Sequence, residues 1–370
     1  MSNLQEARDQ IRIVDEQMAA LFEQRMAAVK EVAEYKRQRG LPVLDEAQEQ
    51  RVVDRNSGYI SDPVIKDYYI KFLRSTMAVS REYQHRLIEG VRVAYSGIEG
   101  AFAHIAARRI FPDGQPVSYP SFDAAYNAVV SGACDFAVLP IENSYAGEVG
   151  QVIDLMFFGD LFINGLYDLP VSQNLLGLPG ARITDIDTVI SHPQALGQCE
   201  KYIRSHGFAQ ISAVNTAMAA KQVAEEGDIH TAVIASAETA EIYGLEMLDH
   251  DINESRSNTT RFAVFSRVEN NMPGSRDSSA FLLMFSVNNT AGSLAEAINI
   301  IGKYGFNMTM LRSRPTKDLP WAHYFFAETQ GDELSPDGQA MLKELGECCP
   351  ILKTVGRFNN GHMVLQEAVK

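Results

Sequence analysis

Three cations lie along a helical face that is otherwise apolar. Leu4, Ala7, Ile11, Val14, Met18, Leu21, Ala28 and Val32 recur at steps of three and four, which is the spacing of one helix face. Arg25 occupies a position within that stripe, Lys36 lies four residues past Val32, and Arg8 lies beside it near the start. A long side chain can snorkel from a stripe edge, but that accounts for one cation more easily than for three. Buried charge is costly unless paired, and this face offers few acids. A bound dianion would satisfy the group. Ser80 and Gln84 are four apart and so share a helical face. The other chemically able groups fall in turns: Glu142-Asn143-Ser144, His192-Pro193-Gln194 and Asn258-Thr259-Thr260-Arg261. Hydroxyls, amides and an arginine in such places bind carboxylates, and a hydroxyl or a carboxylic acid can assist a leaving oxygen. Each segment taken alone also serves as an ordinary turn or cap.

The elements that must position these groups divide the chain into three. The first stretch is helical, with no Gly or Pro before Gly40. Such a helix is on the order of 50 Å long. It cannot bury its stripe in a domain of about 90 residues, which predicts a dimer of intertwined helices. Ser2 with Gln5, and Asp45 with Gln48, have capping-box spacing. Gly40, Pro42 and Asp45 mark the break before a second helix. Asp62-Pro63 opens a third, expected to turn Ile65, Tyr69, Phe72, Val79 and Tyr83 inward. From residue 91 the pattern becomes strand-then-helix, with strands over 91–95, 136–139, 188–190, 231–234 and 262–265. That alternation predicts an α/β region with a mostly parallel sheet, in two lobes with a cleft between them. Residues 269–279 read as a linker. Beyond them come a strand over 280–287, a helix from a Ser293/Glu296 capping box, strands over 308–313 and 321–328, a helix from Ser335 and a strand over 351–358. This is the βαββαβ order of a ferredoxin-like domain.

Bulk properties narrow the function. With a net charge of −14 the chain lacks the basic footprint of a general nucleic-acid binder. No apolar run approaches the roughly 18 residues of a membrane span, and the polar N-terminus is no secretory signal. Cys134, Cys199, Cys348 and Cys349 form no C-x-x-C pair. They read as reduced thiols of a cytoplasmic protein, with no zinc clip.

Residues 4–88 resemble the all-helical chorismate mutase family through Arg8, Arg25, Lys36, Asp45, Glu49, Ser80 and Gln84. The resemblance implies that Arg8 is contributed by the partner protomer and joins Arg25 on the carboxylates of chorismate. It puts Lys36 and Gln84 on the ether oxygen, and Asp45 and Glu49 near the hydroxyl. The family places an arginine where this chain has Gln48, which bears on mutase efficiency; Arg51 stands one turn on. Residues 91–268 resemble prephenate dehydratase through four segments: 95–107, Leu139-Pro140-Ile141-Glu142-Asn143-Ser144, Ser191-His192-Pro193-Gln194-Ala195-Leu196-Gly197-Gln198-Cys199, and Asn258-Thr259-Thr260-Arg261-Phe262. The family's essential threonine maps to Thr260. Arg261 becomes a candidate cleft organiser or carboxylate partner, and Glu142, Asn143, Ser144 and Gln194 become candidate wall residues. Glu142 and Thr260 both remain open as the acid. Ile98, Ala101 and Ala103 depart from the family's first motif, so either its small hydroxyl residues are not required here or their role is filled elsewhere.

Residues 280–360 resemble the amino-acid-binding ACT domain. Gly292-Ser293-Leu294 stands where that family has Gly-Ala-Leu, and Arg312-Ser313-Arg314-Pro315 where it has Glu-Ser-Arg-Pro. Together the resemblances imply a helical chorismate mutase (1–88), a two-lobed α/β dehydratase of periplasmic-binding-protein type (91–268) and a ferredoxin-like ACT regulatory domain (279–370). The activity they imply runs from chorismate through prephenate to phenylpyruvate, with L-phenylalanine as effector, without metal or organic cofactor, in a homodimer or higher homo-oligomer. A dehydratase with a weak mutase, a non-catalytic sensor of aromatic metabolites, and arogenate as the dehydratase substrate stay open as alternatives.

Overall fold

The computed structural model describes residues 2–255, 257–269, 279–315, 323–359 and 363–365. Most of the expected linker, the start of the strand expected at Trp321 and the side chain of Ser2 lie outside the described residues. Two compact units divide at residue 92. Among the described residues no helix is long and apolar enough to cross a membrane.

The first unit consists of α1 (Ser2–Arg39), α2 (Glu46–Ser57) and α3 (Pro63–Glu89). Local chemistry sets the helix starts. Asp45 caps α2 by accepting from the Gln48 backbone N–H at 2.9 Å. Asp62 caps α3 by accepting from Val64 N–H at 2.8 Å, with Pro63 in the first turn. The reciprocal half of the α2 capping box is not formed, because the Gln48 side-chain oxygen takes a bond from Arg51 at 3.0 Å. The core is small: Ala33, Val43, Val53, Leu73 and Met77 are buried, and Ser80 and Gln84 are buried on the same face of α3. The expected inward face of α3 is met only in part: Tyr69 packs on this core and Tyr83 is half-buried. Ile65, Phe72 and Val79 are exposed, and so are Leu4, Ile11, Val14, Met18, Leu21 and Val32 of the α1 stripe. Within one chain both stripes lack cover.

The second unit opens with a lobe made of β1 (Arg92–Ser96), α4 (Phe102–Ile110), β2 (Gln115–Tyr119), α5 (Phe122–Val130), β3 (Phe136–Asn143), β4 (Gly147–Glu148), α6 (Gly150–Phe158) and β5 (Phe162–Pro170). The chain then crosses to a second lobe: β6 (Asn174–Gly177), β7 (Thr188–Ser191), α7 (Pro193–Gln198), α8 (Glu200–His206), β8 (Ala209–Ser212), α9 (Thr216–Glu226), β9 (Thr231–Ala235), α10 (Ala237–Tyr243) and β10 (Glu246–Asp249). It returns along β11 (Thr259–Ser266). The sheets are mixed rather than mostly parallel. β1 pairs parallel with β3, and β7 parallel with β8 and β9. β11 runs antiparallel between β3 and β5, and β6 runs antiparallel between β9 and β10. The reason is topological: strands flanking a crossing enter their sheets from the opposite end to strands fed by βαβ units.

The C-terminal part comprises β12 (Ser279–Ser286), α11 (Ser293–Lys303), β13 (Asn307–Pro315), β14 (His323–Gln330), α12 (Pro336–Cys348), β15 (Ile351–Asn359) and the short β16 (Met363–Val364). Its sheet order β13-β14-β12-β15 continues into β5 of the first lobe. The join is close: Gly356 pairs with Ile163, and a Cβ on Gly356 would collide with the Ile163 carbonyl oxygen. Leu282, Met284, Tyr324, Phe326 and Val355 share one core with Met156, Phe157 and Ile163. The Phe157 and Tyr324 rings stack at 4.1 Å. α11 is not opened by a Ser293/Glu296 capping box. Gly292, at φ 91°, occupies the cap position, and the Ser293 hydroxyl meets Thr290 instead.

Candidate functional site

A cavity of about 400 Å³ lies between the two lobes of the second unit, with Asn143, Gln173, Gln194, Gln198, Asn258 and Thr260 among its lining residues. β3 and β11 deliver the centre of it. In their register Thr260 lies opposite Asn143, and Arg261 opposite Glu142. Side chains alternate along a strand, so one pair faces the cleft and the other turns away.

Asn143 organises the cleft pair. Its carbonyl oxygen accepts from Tyr145 N–H at 3.0 Å and Ala146 N–H at 2.9 Å, closing the turn after β3. Its amide nitrogen donates to Thr260 Oγ1 at 2.9 Å and to Asn258 Oδ1 at 3.0 Å. From the opposite lobe, Gln194 Nε2 reaches Asn143 Oδ1 at 3.4 Å. Gln194 stands in the first turn of α7, where Pro193 opens the helix and His192 Nδ1 accepts from Gln194 N–H at 3.2 Å. Since Thr260 Oγ1 accepts from Asn143, its own proton is free to be offered to a ligand. The two-glycine turn before α4 closes one side. Gly100 N–H donates to His104 Nδ1 at 3.1 Å, and burial holds that imidazole below its usual pKa. Thr239 and Tyr243 of the second lobe donate to the carbonyls of Gly100 and Glu99 at 3.2 and 2.7 Å.

Three expected site residues are not brought to the cleft. Arg261 forms a bidentate pair with Asp168, at 2.8 and 3.2 Å, on the far face of β11. Glu142 bonds to Arg312 of β13. Ser144 accepts from Thr259 N–H at 2.9 Å and donates to Ser257 O at 3.2 Å, tying two loops together. Gln173 and Gln198 also line the cleft; Gln198 lies within the 191–199 segment, whereas no local pattern marks Gln173.

In the first unit, Arg25 donates to Ser80 Oγ and Lys36 to the Val43 carbonyl. Glu49 pairs with Arg81, a cation three residues before Gln84 that no sequence pattern marks. Gln84 donates to Ser80 O at 3.3 Å, while its buried Oε1 has no partner among the described residues. Arg8 and Gln48 are exposed in the single chain. The arrangement gathers Arg25, Arg81, Ser80 and Gln84 about α3, with Lys36 held at the α1–α2 loop.

In the C-terminal part a cavity of about 650 Å³ borders Gly292 and includes Ala295, Glu296, Lys303 and Glu344. Leu294 packs against the core beneath α11. Arg312 and Arg314 do not face this cavity. Arg312 lies 3.6 Å from Glu148 in addition to its bond with Glu142, and Arg314 bonds Asp154 at 3.2 Å. Ser313 and Pro315, at the alternate positions, are exposed.

Residues 93–270 match the family model for prephenate dehydratase, and residues 7–85 the model for type II chorismate mutase. A bifunctional chorismate mutase/prephenate dehydratase of Neisseria gonorrhoeae is 30% identical over 361 residues, covering 95% of each chain. Among solved structures, GqqA, described as a novel type of quorum quenching acylase, superposes with a TM-score of 0.68 at 31% identity. The match covers 73% of this chain and 98% of that one. The prephenate dehydratase of Arthrobacter aurescens, solved with L-Phe, gives 0.67 at 24% identity over 75% of this chain and 92% of its own.

Proposed function

The chain belongs to the bifunctional chorismate mutase/prephenate dehydratase family, and from that premise we infer how its residues divide the work. The enzyme rearranges chorismate to prephenate and converts prephenate to phenylpyruvate, within phenylalanine biosynthesis.

The first step breaks an ether C–O bond and forms a C–C bond in one cyclic movement, with no nucleophile. It needs a folded substrate and positive charge at the ether oxygen. Arg25 takes a carboxylate, and Lys36 and Gln84 address the ether oxygen. The exposed stripe of α1 supports a two-chain helical assembly in which Arg8 comes from the partner protomer. The four free thiols fit a cytoplasmic enzyme.

The second step breaks the bond between the ring and its carboxylate. Those electrons complete the aromatic ring, CO₂ leaves, and the C4–O bond breaks with hydroxide becoming water on taking a proton. Thr260 supplies the hydrogen bond to that leaving oxygen, held by Asn143, while Gln194 closes over from the other lobe. The observation that carries this reading is the Asn143–Thr260 bond at the cleft. Among the described residues Thr260 Oγ1 has no imidazole or carboxylate partner. Activation as a nucleophile would require such a base, so proton donation is favoured over acyl transfer. Glu142, paired with Arg312, is left as a structural anion. The test is phenylpyruvate absorbance from chorismate and from prephenate. Formation from both is expected; formation from neither refutes the assignment.

Gln48→Arg should raise mutase kcat/KM, because an exposed amide engaged by Arg51 offers the substrate no charged fork. Chorismate disappearance measures it. No gain in the folded variant would mean that Arg51 or Arg81 already serves.

The C-terminal βαββαβ part acts as an ACT regulatory domain. L-phenylalanine binds beside Gly292, Ser293 and Leu294 and inhibits the dehydratase through β13. Its Arg312 holds Glu142, whose neighbour Asn143 holds Thr260. Inhibition requires tighter binding to the inactive arrangement, with coupling of about 1–3 kcal/mol. The expected result is a several-fold fall in dehydratase rate at millimolar phenylalanine. Gly292→Ala should weaken it, since a side chain at this positive φ is strained and enters the binding turn. A flat wild-type curve would reduce this part to a structural element.

A further inference from the structure

The cleft contains an acceptor that the reaction scheme above does not use. Gln173 is 2% exposed and lies where the chain crosses between lobes, after β5 and before β6. The crossing is held from both sides. Gln173 N–H donates to Asn253 Oδ1 at 3.0 Å, and its carbonyl accepts from Ile252 N–H at 2.9 Å. Its side chain is fixed as well. Gln198 Oε1 accepts from Gln173 Nε2 at 3.3 Å and from Asn258 Nδ2 at 3.1 Å. An oxygen flanked by two amide donors sets which end of each amide faces it, so the Gln173 nitrogen points to Gln198 and its oxygen points elsewhere. That oxygen, Oε1, is buried and has no hydrogen-bond partner among the described residues. Gln173 lines the same cavity as Thr260, and one run of amides joins them: Gln173, Gln198, Asn258, Asn143, Thr260.

A buried acceptor without a donor is costly, and a ligand that supplies the donor removes the cost. The substrate's inventory then decides which group it is. At neutral pH prephenate carries two carboxylates and a ketone, all acceptors. Its only donor is the ring hydroxyl, the group that leaves. We propose that Gln173 is a substrate-positioning and specificity residue, whose Oε1 accepts the hydrogen of the ring hydroxyl and so turns a lone pair of that oxygen toward Thr260. The hydroxyl is held from two sides: it donates to Gln173 and accepts from Thr260. The choice of amide over carboxylate carries the specificity. A neutral oxygen meets a hydroxyl without adding charge to a site for a dianion. Arogenate carries the same ring hydroxyl, but its side-chain ammonium brings its net charge to −1, so a carboxylate at this position would repel prephenate more than arogenate.

This inference rests on the dehydratase reading of the cleft. The experiment compares kcat/KM for prephenate and for arogenate in the wild type, Gln173→Met and the isosteric Gln173→Glu. Mutase activity in the same polypeptide and the thermal midpoint serve as folding controls. The wild type should prefer prephenate. Gln173→Met should lose roughly 5- to 150-fold on prephenate, the cost of one missing buried partner, mostly in kcat because the bond orients the leaving group. Gln173→Glu should shift the prephenate-to-arogenate ratio toward arogenate by about tenfold or more, a change that a purely structural residue would not produce. A Gln173→Met enzyme with unchanged kcat/KM, or a Gln173→Glu enzyme with an unchanged substrate ratio, overturns the proposal. Absence of turnover in the wild type on both substrates would instead overturn the dehydratase reading itself.

Discussion

Thr260→Ala should lower dehydratase kcat by about 10²–10⁴-fold, the range set by loss of a positioned proton donor, while mutase turnover stays unchanged. The expected size follows from the chemistry of departure. Hydroxide is a poor leaving group, and the hydrogen bond to it strengthens as charge develops on oxygen, so the loss belongs in kcat rather than in KM. Alanine removes Oγ1 and leaves Asn143 its bonds to Asn258 Oδ1 and to the Thr259 carbonyl, at 3.0 and 3.3 Å. The turn after β3 is held by the other end of Asn143, so it survives. Thr260→Ser is the companion variant: it keeps the hydroxyl and should retain a large part of the rate. Mutase activity resides in the first compact unit, which ends at Arg92, and serves as the internal control for enzyme concentration, while the thermal midpoint of the second unit reports its folding. Dehydratase turnover within a few-fold of wild type in Thr260→Ala would remove Thr260 from the reaction. A Glu142→Gln variant measured alongside should keep most of its turnover, because that carboxylate faces Arg312 rather than the cleft lining.

The helical unit was the most readable part of the sequence because helix ends are local. Asp45, Asp62 and Pro63 cap the helices from within a few residues of where they act. The phase of α3 was harder. Its two apolar stripes share Tyr69, and only packing decides that the Leu73–Met77 face is buried in the single chain while Phe72 and Val79 remain exposed. β5 went unread because Asn164, Gly165 and Asp168 interrupt its alternation, and its partners β11 and β15 lie about a hundred and nearly two hundred residues away. The turn motifs identified the cleft segments, yet a motif cannot say which of two neighbours faces inward. Glu142 and Asn143 are adjacent, and so are Thr260 and Arg261. The pairing of β3 with β11 settles each choice, with a register shift immediately after Arg261. Gln173 carries no motif. It matters because the crossing buries it, which is a property of the topology.

Arg25→Ala should cost the mutase about 2–5 kcal/mol in transition-state stabilisation, the loss that follows removal of one charged partner in a desolvated pair, and should leave the dehydratase unchanged. Arg25 sits in an apolar stripe, where a snorkelling side chain would extend to solvent. In the structure it is half-buried instead and donates to Ser80 Oγ, beside the buried Gln84. Ser80 also donates to the Thr76 carbonyl at 2.7 Å, so its hydroxyl is satisfied without Arg25, and the guanidinium is free to turn to a substrate carboxylate. Arg25→Lys separates charge from geometry. Lysine keeps the charge but not the planar fork that matches a carboxylate, so it should recover only part of the loss. The measurement is chorismate disappearance at several concentrations, with kcat and KM resolved and the helical content of each variant checked by circular dichroism. A loss shared between kcat and KM would place the carboxylate bond in both ground and transition states, whereas a loss confined to kcat would place it in the folded transition state. A folded Arg25→Ala enzyme with wild-type kcat/KM would assign this arginine to packing against Ser80 and leave the dianion to Lys36 and Arg81.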